Sequence, residues 1–283
     1  MPAPVLVIVA IASVQTGSAV ARTVFDETGA LGITLMRLAF SSLFLVAVLR
    51  PKPWTWPRDA QLATLLFGLA MAGMNMVFYL ALRTVPLGVC VTVEFLGPLT
   101  VALVQTRRWR DLFWVLCAAA GVALLGLRSG GDVPLFGLFL ALLAGVFWAL
   151  YILASARVGR LVPGVEGLAV ALVIAATVAL PFGAPGVVRV LDQPSVLLVG
   201  CAVALLSSLI PYGFELAALR RIPTRVFGVL MSMEPAAAAL AGLLVLGQAL
   251  EGRELLALLL VSLASLGITL GRRSDQRPPL PLE

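Results

Sequence analysis

Four ionisable side chains, Arg37, Glu94, Glu215 and Glu234, stand inside long apolar stretches of the chain. On insertion scales each intramembrane charge costs at least ~2.5–3.5 kcal/mol, so each needs a reason. Two of them come with a proline. Pro98 lacks an amide hydrogen, which leaves the carbonyl of Glu94 without its helical partner, and Pro235 does the same to the carbonyl of Met231. A carboxylate beside a freed carbonyl can hold an ammonium group or a proton, and a proline there can kink or hinge its helix. The same glutamates can instead form an interhelical ion pair with Arg37 that fixes packing. Arg37 in turn suits either a substrate carboxylate or one of the glutamates. Glu215, near Arg220 and Arg221 at the end of its stretch, reads as a snorkelling surface pair. Gln15, Asn75, Tyr79, Trp148, Tyr151, Ser207 and Tyr212 are polar or amphipathic residues in apolar stretches, suited to lining a cavity or to bonding helices together.

Other chemistry is excluded by what the chain lacks. It has no histidine, no Walker loop, no zinc motif and no cofactor fingerprint, so no metal, no cofactor and no ATP hydrolysis are expected. Cys90, Cys117 and Cys201 all lie in apolar runs without metal or redox spacing and read as buried packing residues.

The elements that must position these residues are membrane helices. Of 283 residues 61% are apolar and only 12% charged, with a mean hydropathy of +1.06, where a soluble domain carries about 25% charged residues. The bilayer is therefore the solvent. A hydrocarbon core of about 30 Å needs roughly 20 apolar helical residues. Ten such runs occur, at about 4–21, 30–49, 60–82, 86–105, 111–127, 134–155, 165–183, 195–216, 223–246 and 254–271. Pro51-Lys52-Pro53, Val85-Pro86, Ser129-Gly130-Gly131, Pro163-Gly164, Pro185-Gly186 and Ile222-Pro223 supply the breaks. Pro86 and Pro223 suit the first turn of the helices that follow them. Counting about 1.5 Å per residue from those prolines puts Glu94 about 12 Å and Glu234 about 16 Å into the membrane, from opposite sides. No Lys or Arg precedes the first run, so it reads as a helix and not as a signal peptide.

The net charge of +6 does not indicate nucleic acid, because the basic residues come in twos and threes between apolar runs. With the N-terminus inside, fourteen of the 20 Lys and Arg fall in cytoplasmic segments and five outside, leaving Arg37 within its span. That asymmetry predicts an N-in, C-in topology.

The chain also repeats itself. Ala81-Leu82-Arg83-Thr84-Val85-Pro86 aligns with Ala218-Leu219-Arg220-Arg221-Ile222-Pro223, and the same offset carries Pro98 onto Pro235 and Ala102-Leu103 onto Ala239-Leu240. Two five-helix units, 4–127 and 134–271, follow, with 272–283 as a disordered cytoplasmic tail. Five is odd, so the second unit must be inverted. Inverted repeats are a frequent architecture of secondary transporters, with the site near the midplane between the halves. The expected fold is thus all-α and membrane-integral, with ten transmembrane helices in two inverted repeats around an alternating-access cavity. The expected partners are the lipid bilayer and a small-molecule substrate. A membrane enzyme or a scaffold is the reading from another class.

The runs Met74-Asn75-Met76-Val77-Phe78-Tyr79-Leu80, Thr84-Val85-Pro86-Leu87-Gly88, Glu94-Phe95-Leu96-Gly97-Pro98-Leu99 and Pro223 through Pro235 resemble the threonine/homoserine exporter branch of the EamA family, in the drug/metabolite transporter superfamily. The resemblance implies ten helices in two inverted repeats, a bacterial inner-membrane location and amino-acid export. Together with the repeat and the membrane glutamates, this reads as secondary-active export of small amino acids in which Glu94 or Glu234 can carry a coupling proton. Broad metabolite or drug export is the alternative within the superfamily. Gln248 departs from the pattern, standing where that branch has an acidic residue after Leu246-Gly247.

Overall fold

The computed structural model describes residues 1–106, 111–126, 134–219, 221–222 and 224–271. The expected first-turn proline Pro223, the Ser129-Gly130-Gly131 break and the tail 272–283 lie outside the described residues. Among those described there is no strand. Thirteen α-helices follow one another: α1 (Ala3–Arg22), α2 (Phe25–Leu49), α3 (Arg58–Ala81), α4 (Leu87–Glu94), α5 (Leu96–Thr106), α6 (Asp111–Gly126), α7 (Leu135–Leu161), α8 (Glu166–Val188), α9 (Pro194–Ala204), α10 (Ile210–Leu219), α11 (Thr224–Met231), α12 (Glu234–Leu246) and α13 (Gly252–Gly271). A π-helical turn, Leu205–Leu209, joins α9 to α10.

Nine stretches among the described residues are long and apolar enough to cross a bilayer, and Phe113–Leu125 in α6 is a shorter apolar helix. Among the described residues each of the ten expected runs is thus mainly helical, with one of them short. Their outer faces carry large exposed apolar side chains, such as Leu43, Phe44, Leu66, Phe139, Leu198 and Leu244. Water would not tolerate that surface, whereas lipid does.

The breaks follow local chemistry at most positions. Gly29 in α2 adopts φ 68°, ψ 159°, a conformation essentially confined to glycine, which is why the regular helix starts only beyond it. Pro86 caps α4, and Gly164 turns the chain after α7 with a positive φ. Pro185-Gly186 is a correction: α8 runs through Pro181 and Pro185 as far as Val188. The reason is packing. Gly186 lies flush on Thr28 and Gly32 of α2, and Gly183 on Leu31 and Leu35, so α2 holds the helix across its missing amide donors.

Helix packing crosses between the two halves of the chain. α2 lies on α8, α4 on α12 and α6 on α13. α3 packs against α7 and α8, while the span from α9 to α10 packs against α2 and α1. Buried threonines turn back on their own helices, as Thr34 does to Ala30 at 2.8 Å and Thr92 to Gly88 at 2.6 Å, so their hydroxyls stay satisfied away from water.

Candidate functional site

The spans of Glu94 and Glu234 are not continuous helices. α4 ends at Glu94 and α5 starts at Leu96; α11 ends at Met231 and α12 starts at Glu234. Each first segment therefore ends at the residue whose carbonyl Pro98 or Pro235 leaves without a donor. Glu234 falls in the first turn of α12, where the helix dipole favours a carboxylate. The freed carbonyl of Glu94 is covered by α7: a Cβ added at Gly145 would come within 2.6 Å of that oxygen. Carbonyl and carboxylate, expected to act together, thus have different surroundings.

Beside these breaks lies a cavity of about 140 Å³. Its walls come in helical pairs three or four residues apart: Gln15 and Ser18 on α1, Asn75 and Phe78 on α3, Val91 and Glu94 on α4, Trp148 and Tyr151 on α7, Pro211 and Glu215 on α10, with Met231 and Glu234 flanking the break before α12. Arg37 of α2 completes it. Arg37, Glu94 and Glu234 are only 6, 7 and 5% exposed. The cavity therefore joins one guanidinium to carboxylates drawn from both halves of the chain.

Arg37 is firmly held. Its Nη2 donates to the carbonyl of Ser207 at 2.7 Å, its Nε to Ser208 Oγ at 3.2 Å and its Nη1 to the Tyr79 hydroxyl at 3.3 Å. The guanidinium also sits 5.8 Å from the Tyr79 ring centroid, a favourable cation–π distance. Among the described residues no ion pair joins it to Glu94 or Glu234. Its hydrogen-bond partners are a carbonyl and two hydroxyls, and no carboxylate among the described residues lies within ion-pairing distance of it.

Tyr79, expected as a lining residue, is instead fully buried behind Arg37, with Phe25 and Phe78 against its ring. Pro98 and Pro235 sit at the helix breaks and not in the wall. Asn75 donates to the Met71 carbonyl at 2.8 Å, which leaves its side-chain oxygen available. Trp148 meets Phe95 edge-on at 5.7 Å, the Tyr151 ring lies tilted against Phe67 at 5.0 Å, and Tyr151 and Tyr212 both line the cavity. The side-chain oxygen of Gln15 has no hydrogen-bond partner among the described residues.

Glu215 is the principal correction. Expected as a surface pair with Arg220 and Arg221, it is half-buried and lines the cavity. Arg221 is exposed, and Arg220 lies outside the described residues. The chain does carry a signal for this: Ser207, Pro211 and Glu215 are spaced by four and share one helical face. Ser208, a partner of Arg37, is a site residue that sequence reasoning misses.

Residues 135–270 match the EamA-like transporter family, the stretch expected as the second repeat. The threonine/homoserine exporters RhtA of Escherichia coli K12 and of Salmonella typhimurium LT2 are each 44% identical over 276 residues, spanning 96% of this chain and 93% of the relative. The chain belongs to the EamA family. It is accordingly a multi-pass membrane transport protein and not an enzyme. A solved crystal structure, 20% identical, superposes with a TM-score of 0.61 over 96% of this chain and 98% of the other, and so shares the fold. Within this EamA chain the cavity draws on both the matched stretch and the half that precedes it.

Proposed function

We propose that the chain exports small zwitterionic amino acids of the threonine/homoserine kind across a bacterial inner membrane. The observation that carries this reading is a small cavity presenting one guanidinium and several carboxylates, none of them ion-paired to another among the described residues. A zwitterion supplies both missing partners. Its carboxylate meets Arg37, and its ammonium meets Glu94 or Glu234. The near-full-length identity to proteins named threonine/homoserine exporters supports the same substrate class. So does size: about 140 Å³ is well below the roughly 300–1,000 Å³ of drug-sized pockets.

Transport proceeds by alternating access between two inverted five-helix repeats, residues 4–127 and 134–271. The constant offset between the two halves of the sequence supports this, as does packing in which α2–α8, α4–α12 and α6–α13 join corresponding spans. The distribution of Lys and Arg supports both termini being cytoplasmic. In that orientation the outer halves of two broken spans, α4 and α12, are packed together. Gly88 lies on Ala239, and Leu87 N–H donates to Gln248 Oε1 at 3.0 Å. The outer side of the pathway is then closed in this conformation.

Purified protein in proteoliposomes should exchange radiolabelled threonine without chemical change, with homoserine competing. Efflux of bulky apolar cations in preference to any amino acid would overturn the reading in favour of drug export. That alternative draws on the apolar part of the wall, Met74, Phe78, Trp148 and Met231.

A further inference from the structure

Why Arg37 points where it does is answered by a helix defect in the opposite half of the chain. Pro211 has no amide hydrogen. In an α-helical register that hydrogen would go to the carbonyl of Ser207, and in the wider register of the π-helical turn Leu205–Leu209 to the carbonyl of Leu206. Side chains from the first half meet both carbonyls. Ser13 Oγ donates to Leu206 at 2.7 Å, and Arg37 Nη2 donates to Ser207 at 2.7 Å. Immediately beyond, Ser208 Oγ accepts from Arg37 Nε. The turn thus presents two acceptors to one guanidinium, and a serine on α1 holds it in place.

We propose that Pro211 and Ser13 are positioning residues for substrate recognition: the π-helical turn they create and hold aims Arg37 at the substrate's carboxylate. This rests on the amino-acid reading above. The guanidinium fork has more donors than Ser207, Ser208 and Tyr79 use, so it can keep these partners and still receive a carboxylate from the cavity. An arginine already fixed on one edge loses little freedom when the other edge is occupied, and such preorganisation is a source of both affinity and selectivity. Restoring an amide at position 211 would let the Ser207 carbonyl bond within its own helix. That competing donor, and the return to a regular α-helical turn, would weaken and re-aim the shortest contact of Arg37.

The test compares two ligands on the full-length reconstituted protein. One is threonine; the other is 1-amino-2-propanol, which is threonine without its carboxylate. Each is measured as a competitor of labelled-threonine exchange, and the ratio of the two inhibition constants reports how well the carboxylate is recognised. In Pro211→Ala that ratio should fall roughly tenfold, about what losing one well-aimed charged hydrogen bond removes; any shift that the loss of a wall residue gives both competitors alike cancels in the ratio. Ser13→Ala, whose side chain is not in the cavity wall, should move the ratio in the same direction by a smaller factor, and it serves if Pro211→Ala does not insert. An unchanged ratio in an inserted, exchanging variant overturns the proposal. Equal weakening of both competitors also overturns it, because that is the signature of a merely structural role. A wild-type protein indifferent to the carboxylate would overturn the proposal and the substrate reading together.

Discussion

The bond between Leu87 N–H and Gln248 Oε1, 3.0 Å long, spans the two halves where α4 and α12 meet. It exists only while those helices are packed together, so removing it should shift the protein towards a state with that side open. A hydrogen bond of this kind contributes about 0.5–1.5 kcal/mol net, so Gln248→Leu should raise the population opened there roughly 2- to 13-fold. Gly88→Val should do more. A Cβ at Gly88 already falls 2.9 Å from the Cα of Ala239, a backbone atom that cannot swing aside. Conversely, Gln248→Glu places a full charge at the α4 N-terminus, where it accepts the same bond and is favoured by the dipole, and should hold the contact closed. The assay is maleimide labelling of a cysteine at Val91, a cavity-lining position on α4, with Cys90, Cys117 and Cys201 replaced by alanine. Labelling from outside the cell should quicken in Gln248→Leu, quicken further in Gly88→Val, and slow in Gln248→Glu. Unchanged rates in the first two would refute the closing role of this contact. Acceleration matched by a cysteine at a buried position remote from the contact, such as Ala175, would show general loosening and refute it as well.

If Glu94 or Glu234 carries a coupling proton, its glutamine variant should keep substrate exchange and lose gradient-driven export. If it grips the ammonium, exchange itself should weaken by roughly 1.5–3 kcal/mol, and wild-type flux in both variants would remove either role. Glu215→Gln should alter threonine exchange at normal protein level, as befits a cavity residue, whereas Glu166→Gln, in the first turn of α8 and outside the cavity wall, should not; equal behaviour of the two would return Glu215 to the surface. Cysteines at Ala102 and Arg225, the positions that the sequence repeat pairs with Ala239 and Gly88, should cross-link only in the outward-open state and so block exchange, while cross-linking that leaves exchange intact would contradict exchange of conformations between the halves. A cysteine at Thr55 should be labelled only from the cytoplasm and one at Asp192 only from outside, and the reverse pattern would invert the topology.

Membrane helices are the most legible elements of this sequence, because the bilayer demands an apolar run wherever it is crossed and the run is visible without knowing its neighbours. The starts at Ala3 and Gly252 and the break at Gly164 fall close to where hydropathy and turn chemistry put them. Pro185-Gly186 reads locally as a break and is not one, since the deciding term is the surface of α2, which lies in the other half of the chain. Glu215 reads as a surface residue for a related reason. The next charges along the chain are the arginines Arg220 and Arg221, but its helical face is set by Ser207 and Pro211, which point into the bundle. The π-helical turn is illegible in the sequence because the bonds that complete it come from Ser13 and Arg37. Side chains of the site are visible where they break an apolar run, and hidden where, like Ser208 behind Arg37, they look like ordinary small helix residues.

The two glutamates are not counterparts. At the offset that matches Pro98 to Pro235, Glu94 falls on Met231 and Glu234 on Gly97. What is shared between the spans is the break: a proline removes one donor, and the first segment ends at the carbonyl left free. What differs is the charge. In the first half the carboxylate is carried by the last residue before the break; in the second it is carried by the first residue of the next helix. Gly97, which takes the place of Glu234, is needed for contact, because it packs against the backbone of Gly145 and any side chain there would collide with α7. Met231, in place of Glu94, lines the cavity with a flexible apolar side chain. The cavity between the two halves is therefore polar in one sense only, with Arg37 bound to the second half through the π-helical turn and Glu94 supplied by the first. Under the proposed exchange of conformations, a zwitterion held between Arg37 and Glu94 would meet the same acid and base whichever side is open.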